Sequence, residues 1–165
     1  MDAQIRRART GDVRQIHRLV DGYVQRGILL GKELVTLYED VQDFWVAELD
    51  RRVVGCGAVH VMWEDLAEVR TVAVDAEVAG QGIGHALVAR LVETARELGV
   101  RRVFVLTFEV EFFGRHGFQE IDGAPVEPDV YAELRRSYDE GVAEFLDLPR
   151  VKPNILGNHR MLLEL

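Results

Sequence analysis

A glycine-rich stretch between a strand pattern and a helix pattern is the most constraining feature of this sequence. Residues 68–74 alternate in polarity and are rich in β-branched side chains, which is typical of a strand. From residue 83 to residue 98 the apolar side chains recur at helical spacing. Three glycines lie between or just inside these two patterns: Gly80, Gly82 and Gly84. Because such a loop lets main-chain N–H groups and a helix N-terminus approach anionic oxygens, the sequence predicts a phosphate-binding loop.

Length and composition limit the class of protein. The 165 residues are 48% apolar and 29% charged, which predicts one globular domain over residues 1–165. The net charge of −8 argues against nonspecific binding to nucleic acid. No segment has the length or hydropathy of a membrane span or of a signal peptide, and Cys56 has no second cysteine to pair with. We therefore expect a cytoplasmic protein that binds neither membranes nor nucleic acids.

The order of the remaining elements predicts a mixed α/β fold with a central sheet of about seven strands. Short turns join the strands predicted at 44–48, 53–63 and 68–74, so these should be antiparallel neighbours. A buried strand at 102–107 follows the central helix and should run parallel to the strand before it. Further strands are expected at 5–7, 118–121 and 159–165, and helices at 13–23, 33–41, 109–116 and 128–137. The pattern of 141–148 is ambiguous, and Pro149 and Pro153 should keep the next segment extended.

Two common classes of glycine loop do not match residues 79–84. No Lys-Ser or Lys-Thr pair follows the last glycine, as a P-loop requires. A dinucleotide-binding loop would open a βαβ series and be followed by an acidic residue near the end of the next strand. Here three antiparallel strands come first, and the following strand ends in Thr107.

The element order and the loop instead resemble the GNAT superfamily of acyl-CoA-dependent N-acetyltransferases. Their loop consists of Gln or Arg, two residues, Gly, one residue, and Gly or Ala; Gly82 and Gly84 match it, while Ala79 replaces the first residue. The later superfamily signature Phe-Tyr-Glu-Lys-x-Gly-Phe corresponds to residues 112–118, Phe-Phe-Gly-Arg-His-Gly-Phe. The resemblance implies a GNAT fold and acetyl-CoA as acetyl donor. No His, Cys and Asp cluster has the spacing of metal ligands, so no metal is predicted. The residues that the resemblance places against the donor are Val72, Ala73, Val74, Ala79, Gly80, Gln81, Gly82, Ile83, Gly84, His85, Thr107, Phe113 and Arg115.

Within this superfamily the chain is similar to N-acetylglutamate synthases, in particular to their short single-domain bacterial form. The similarity is carried by residues 27–30, 55–60, 68–74, 104–107 and 151–158. It implies transfer of the acetyl group to the α-amine of L-glutamate, or of L-glutamine as an alternative, by direct attack in a ternary complex. That reaction would be the first step of arginine biosynthesis. GNAT domains often pair as homodimers through C-terminal strands, and the sequence leaves the oligomeric state open.

Glu68 is the candidate general base. Counting back by twos from Val74 through Val72 and Arg70 places Glu68 on the same strand face. It also matches the glutamate base of GNAT histone acetyltransferases. The alternative is a solvated strand-end glutamate in an ion pair. If Glu68 is the base, a bound water molecule could relay the proton, so direct contact with the acceptor is not required.

The sequence does not identify a group that protonates the CoA thiolate. Many GNAT enzymes use a tyrosine, whose place is taken here by Phe113. His116 is expected to cap the short helix before it rather than to act in catalysis. Cys56, between two glycines of a strand, is expected to be a small buried residue rather than a nucleophile. His60 is expected to be packed or hydrogen-bonded.

Basic side chains are the natural partners of an acceptor that carries carboxylates. The candidates for binding this acceptor are Lys32, Arg70, Asn158 and Arg160. For Lys32 and Arg160 the alternative is an ordinary surface charge. Two other functions stay open: acetylation of another small amine or a protein N-terminus, and non-catalytic binding of acyl-CoA as a sensor.

Overall fold

The computed structural model describes residues 2–148 and 157–165. Within these ranges the chain forms a seven-stranded sheet in the order β1-β2-β3-β4-β5-β7-β6, with helices on both faces. The strands are β1 Gln4–Arg7, β2 Phe44–Leu49, β3 Arg52–Trp63, β4 Leu66–Val74, β5 Arg102–Thr107, β6 Gln119–Glu120 and β7 His159–Glu164. The helices are α1 Val13–Gln25, α2 Leu34–Glu39, α3 Ile83–Glu97, α4 Val110–Gly114, α5 Pro128–Leu134 and α6 Glu140–Leu146. The predictions for Pro149 and Pro153, and most of the similarity at 151–158, lie outside the described residues.

The sheet has the mixed topology that the sequence predicts. Strands β1 to β4 are antiparallel neighbours, and β4 pairs in parallel with β5 across helix α3. The antiparallel strand β7 completes the other side of β5. The prediction of a mixed α/β sheet with one parallel pair after the glycine-loop helix is therefore confirmed.

Helix α3 covers one face of the sheet, and α1 and α2 cover the other. The apolar side of α3, including Leu87 and Leu91, is fully buried against the strands. Its approach to β3 is close: a Cβ atom on Gly57 would lie 2.8 Å from Leu91 Cδ1. Cys56 points to the opposite face, where it packs with α1 and α2. Two apolar layers thus hold the sheet rigidly between the helices.

A bulge interrupts β4 in the middle of the sheet. Cys56 pairs with Ala73 and Ala58 pairs with Arg70, so that Thr71 and Val72 together face one residue of β3. Thr71 has a φ of 58°, a strained value for a β-branched residue. The parallel pairing of β4 with β5 ends at Glu68 and Phe104. Beyond that point the two strands separate and leave a wedge-shaped opening between them.

Several helices differ from the sequence-based expectations. Helix α2 is shorter than 33–41 because a 3₁₀ turn covers Val41–Asp43, α4 covers only part of 109–116, and α5 ends at Leu134 rather than at 137. The ambiguous segment 141–148 holds most of α6, which begins after its N-cap Asp139. The side chain of Asp139 accepts a hydrogen bond from the Val142 N–H at 2.9 Å. Helix α6 packs beside the opening between β4 and β5 and supplies side chains to the site described next.

Candidate active site

The glycine loop has the geometry of an anion site. Gly80 and Gly82 have φ values of 81° and 82°, in the left-handed region where glycine is favoured. Gly82 is the N-cap of the 15-residue helix α3, and residues 79–82 are exposed. The first N–H groups of α3 have no partner within the helix, and its dipole favours a negative charge at this end. The residues predicted to hold a diphosphate therefore surround an accessible helix N-terminus.

Aromatic and histidine side chains lie next to this loop. Phe112 of α4 stacks on His85 of α3 with ring centroids 4.4 Å apart, and a Cβ on Gly84 would contact the Phe112 ring at 3.4 Å. His85 Nδ1 lies 2.9 Å from His116 Nε2. Burial and the neighbouring His85 lower the pKa of His116. The contact between His85 and His116 thus connects His116 to α3. Phe112 contacts the start of the same helix at Gly84.

Three further residues predicted to contact the donor lie in and around α4: Phe113 within it, Arg115 at its C-cap and Thr107 before it. Phe113 is 4% exposed and packs edge-on against Phe112 and Phe118, so its ring belongs to the core rather than to the opening. Arg115 is exposed and pairs with Glu111 at 3.1 Å. Thr107 is buried at the end of β5, and its hydroxyl accepts a hydrogen bond from the Glu109 N–H. The expectation that Phe113 contacts the donor does not agree with this packing, because helix α4 turns that face inward.

The main chain at the end of β4 is held by a tyrosine from α1. The Tyr23 hydroxyl donates to the Val74 carbonyl oxygen at 2.9 Å and accepts from the Val74 N–H at 3.0 Å. Both groups of Val74 therefore point away from β3, into the wedge-shaped opening. The guanidinium of Arg26 lies 4.4 Å from the centre of the Tyr23 ring. Nothing in the helical pattern of α1 distinguishes Tyr23 from a packing residue, so the sequence alone does not indicate this role.

A second cleft opens between the α1–α2 connection, β4 and helix α6. Of the four residues predicted to bind the acceptor, Lys32, Arg70 and Asn158 line this cleft together with the predicted base Glu68. The remaining described lining residues are Ile28, Leu29, Leu30, Gly31, Val69, Thr71, Leu106, Glu140, Gly141 and Glu144. Thr71 and Leu106 belong to the separated parts of β4 and β5, so the cleft meets the opening between the strands.

Arg70 lies between two carboxylates at the base of the cleft. Its two terminal nitrogens donate to both oxygens of Asp139 at 2.8 and 2.7 Å. Its Nε lies 2.6 Å from Glu68 Oε1, so the two side chains form a close buried ion pair. Burial opposes the charge on Asp139, but the hydrogen bonds and charge of Arg70 outweigh it and lower the pKa of Asp139 to about 2. Arg70 is therefore committed to protein carboxylates, which does not favour its predicted role as a direct ligand of the acceptor.

Glu68 is deeply buried at the floor of the cleft. It is 5% exposed, and its Oε1 lies 2.6 Å from Arg70 Nε. Gly141 of α6 approaches it so closely that a Cβ there would lie 2.6 Å from Glu68 Oε1. Glu68 is thus a buried carboxylate paired with Arg70 at the floor of the cleft, in the place where the sequence predicts the general base.

A histidine extends this polar group on the side of β3. His60 Nδ1 lies 2.7 Å from Asp43 Oδ2, and its Nε2 lies 3.9 Å from Asp139 Oδ1. The hydrogen bond to Asp43 raises the pKa of His60, although burial acts in the opposite direction. The expectation of a hydrogen-bonded His60 agrees with this arrangement.

Glu144 lines the cleft but is not among the site residues that the sequence predicts. It is half-buried on α6, and its burial and the nearby charge of Glu68 raise its pKa to about 7. Its position on a helix could be inferred only once α6 was recognised. The N-cap pattern of Asp139 before an apolar run was the one available signal.

Asn158 and Arg160 have different surroundings although they are close in sequence. Asn158 Oδ1 is buried and has no hydrogen-bond partner in the described part of the chain, so it is an available acceptor in the cleft. Arg160 donates to the carbonyl oxygens of Gly123, Glu144 and Phe145, and its guanidinium lies 5.0 Å from the centre of the Phe104 ring. Arg160 therefore supports the C-terminal half of α6 and is not among the lining residues of the cleft.

Nucleophilic and metal chemistry receive no support from the described residues. Burial raises the pKa of Cys56 to about 12, so its thiol is not a reactive thiolate at neutral pH.

Between residues 2 and 148 and between 157 and 165, no three His, Cys, Asp or Glu side chains are grouped so that they could hold a metal ion. In the same ranges, none of the helices has the length and hydropathy that a bilayer crossing requires.

Comparison with known families identifies the class of protein. Residues 16–118 match the acetyltransferase (GNAT) family, which is more than half of the chain. The matched stretch includes the bulged strand, the glycine loop and α4. The chain therefore belongs to the GNAT acetyltransferase family, and acetyl-CoA as acetyl donor fits both this family and the glycine loop.

Individual proteins are similar to this chain over nearly its whole length. The chain is 65% identical to an amino-acid acetyltransferase of Mycobacterium tuberculosis over 164 residues, which cover 98% of this chain and 94% of that protein. A crystal structure of a protein from the same organism, in complex with CoA, superposes with a TM-score of 0.94 at 65% identity over 98% of this chain and 99% of that chain. N-acetylglutamate synthase of Neisseria gonorrhoeae, solved with coenzyme A and N-acetyl-glutamate, shares the fold with a TM-score of 0.79 at 24% identity. This chain covers 35% of the Neisseria protein.

Proposed function

We propose that this protein transfers the acetyl group of acetyl-CoA to the α-amine of an amino acid, L-glutamate or L-glutamine, by direct attack in a ternary complex. The observation that carries the proposal is that two openings adjoin at β4. The glycine loop and the opening between β4 and β5 lie on one side of this point, and the cleft that contains Glu68 lies on the other. The 65% identity to an amino-acid acetyltransferase over nearly the whole chain supports an amino acid as acceptor.

The donor arm would bind along the separated part of β4. Its amide groups pair with the main chain of Val72, Ala73 and Val74 as an added strand would, and the diphosphate binds at residues 79–84. A main-chain N–H at the bulge polarises the thioester carbonyl. His85, Thr107 and the exposed Arg115 are the neighbouring side chains proposed to contact the donor. The unpaired edge of β4 beyond Glu68 supports this arrangement.

The acceptor would bind with its ammonium group at Glu68. Glu68 lines the cleft, so its negative charge would attract that ammonium. Lys32 and Asn158 are the proposed partners of the acceptor's carboxylate and polar groups, since both line the cleft. Arg70 contributes indirectly, by holding Glu68 and α6 in place.

Glutamine is the acceptor favoured by the charges in the cleft. Among its described lining residues, the carboxylates of Glu68, Glu140 and Glu144 outnumber the cations of Lys32 and Arg70. Arg70 is already paired with Asp139 and Glu68. A neutral side-chain amide would meet less repulsion here than a second carboxylate would.

The test is a steady-state assay of CoA release by the purified protein with acetyl-CoA and a panel of amines. We expect turnover of glutamine and glutamate, with a higher kcat/KM for glutamine. Glu68→Gln should lower kcat/KM for the acceptor about 10²-fold while acetyl-CoA binding is retained. Turnover restricted to polyamines or peptides would refute an amino-acid acceptor, and tight binding of acetyl-CoA without turnover of any amine would support a sensor. Growth of an arginine auxotroph that lacks its synthase would support the proposed place in arginine biosynthesis.

A further inference from the structure

Glu144 lies one helical turn from the closest contact between α6 and β4. Asp139, the N-cap of α6, is held by both terminal nitrogens of Arg70. Two residues later Gly141 lies against Glu68 and Arg70 with no room for a side chain. Residues three apart in a helix lie on the same face, so Glu144 follows Gly141 on the face that borders the cleft. Its presence among the lining residues agrees with this geometry.

The two carboxylates of the cleft have different partners. Glu68 Oε1 lies 2.6 Å from the Arg70 guanidinium. The carboxylate of Glu144 makes no hydrogen bond or ion pair with the described residues and is half-buried. One carboxylate is therefore held beside a cation, while the other is available to change its protonation state.

The charges around Glu144 explain its pKa of about 7. Burial acts most strongly, and the negative charges of Glu68 on β4 and Glu140 on its own helix add to it. Lys32 in the α1–α2 connection and Arg70 act in the opposite direction. A carboxyl group that titrates near neutral pH is suited to proton transfer. When two carboxyl groups of one site have different environments, one can stay charged and bind a cation while the other acts as the base.

We propose that Glu144 accepts the proton that the acceptor's ammonium must lose, while Glu68 holds the ammonium in place. The inference rests on the proposed function and assigns the proton in that same site. Glu144 takes one proton from the ammonium, and the free amine attacks the thioester carbon. A C–N bond forms and the C–S bond breaks. As the amide forms, the nitrogen loses a second proton, which is released together with the CoA thiolate, so that the charges balance. Glu144 then returns the proton that it accepted to solvent.

The test is the pH dependence of kcat/KM for the acceptor from pH 5.5 to 9, with acetyl-CoA saturating, because kcat/KM reports the groups of the enzyme before the acceptor binds. A base must be deprotonated to act, so wild-type kcat/KM should rise with pH through an inflection near 7. Glu144→Gln keeps the size of the side chain and should remove this inflection and lower kcat/KM at pH 8 about 10²-fold. Glu144→Asp retains a titrating group and should restore an inflection with an intermediate rate. The matched control is Glu93→Gln, on the exposed surface of α3, which should behave as wild type.

Three outcomes separate this inference from its alternatives. An inflection and a rate that persist in Glu144→Gln would overturn the role of Glu144, while turnover itself would leave the proposed function intact. An inflection that moves in His60→Gln but not in Glu144→Gln would assign the titration to the His60–Asp43 pair and overturn the inference. Absence of turnover by the wild-type protein would instead refute the proposed function. Thermal unfolding of each variant, with and without acetyl-CoA, identifies a rate that falls only because folding is impaired.

Discussion

The hydroxyl group of Tyr23 satisfies both main-chain groups of Val74, donating to the carbonyl oxygen at 2.9 Å and accepting from the N–H at 3.0 Å. These are the groups that the proposed donor arm would use at the end of β4. A side chain from α1 therefore occupies hydrogen-bonding positions that an added strand would need. In the proposed binding mode, acetyl-CoA would have to replace this hydroxyl before it could pair with Val74.

Replacing Tyr23 with phenylalanine should tighten the binding of acetyl-CoA. The donor arm would have to break the hydrogen bonds between Tyr23 and Val74, and each such bond is worth about 1 kcal/mol. Without the hydroxyl this cost is absent, so Kd for acetyl-CoA should fall about 5-fold or more. Calorimetric titration of acetyl-CoA measures this directly. Tyr138→Phe is the control, because that side chain is 97% exposed. Weaker binding by Tyr23→Phe would mean that the hydroxyl helps to hold the donor instead.

An alanine at position 141 should separate α6 from β4. Its Cβ would lie 2.6 Å from Glu68 Oε1 and 2.7 Å from an Arg70 nitrogen, and neither group can retreat without breaking a buried ion pair. We expect Gly141→Ala to lower the free energy of unfolding by about 1–3 kcal/mol, as measured by urea denaturation. The same change at Gly22, in the interior of α1 with nothing within 4 Å, should not destabilise the protein. Equal stability of both variants would contradict the close packing at Gly141.

The Asp139–Arg70 pair should give the protein a distinct loss of stability in acid. Because the pKa of Asp139 in the folded protein is about 2, below its ordinary value of 3.8, its contribution is present above pH 4 and is lost as the pH falls towards 2. The difference corresponds to about 2 kcal/mol. Urea unfolding at pH 5, 4 and 3 should show this decline in the wild type. Asp139→Asn should be less stable at pH 5 and lose less on acidification; an unchanged decline in this variant would assign it to other carboxyls.

Lys32 should affect the acceptor and not the donor. It is the cleft cation without an ion pair among the described residues, so Lys32→Met should raise KM for glutamine or glutamate about 10-fold and leave Kd for acetyl-CoA unchanged. Steady-state kinetics with each acceptor measure the change. Arg14→Met, at an exposed position of α1, tests whether removing any positive charge has the same effect. An equal rise in KM for both variants would indicate a general electrostatic effect.

Some of this site could be predicted from the sequence because its signals are local. The alternation of residues 68–74, the glycines at 80–84 and the helical spacing after them are readable without any knowledge of tertiary contacts. The same alternation placed Glu68 and Arg70 on one strand face. The structure confirms the sheet and the parallel strand pair that these patterns predicted.

The remaining features depend on contacts between distant segments. Arg70 could be expected to bind a substrate carboxylate only while Asp139, 69 residues away, was not known to occupy it. Tyr23 belongs to an ordinary helical pattern and Glu144 to an ambiguous one, and the roles of both depend on which strand their helices cover. Phe113 was expected at the donor because of its motif, but the motif does not reveal that α4 directs this ring into the core.

The most direct test of the proposed activity is a competition assay analysed by mass spectrometry. The purified protein would be incubated with acetyl-CoA and an equimolar mixture of the twenty amino acids, spermidine and a short peptide. We predict that N-acetylglutamine and N-acetylglutamate accumulate first, and that both form about 10²-fold more slowly with Glu68→Gln. Accumulation of acetylated spermidine or peptide, with both acetylated amino acids at background, would contradict the account.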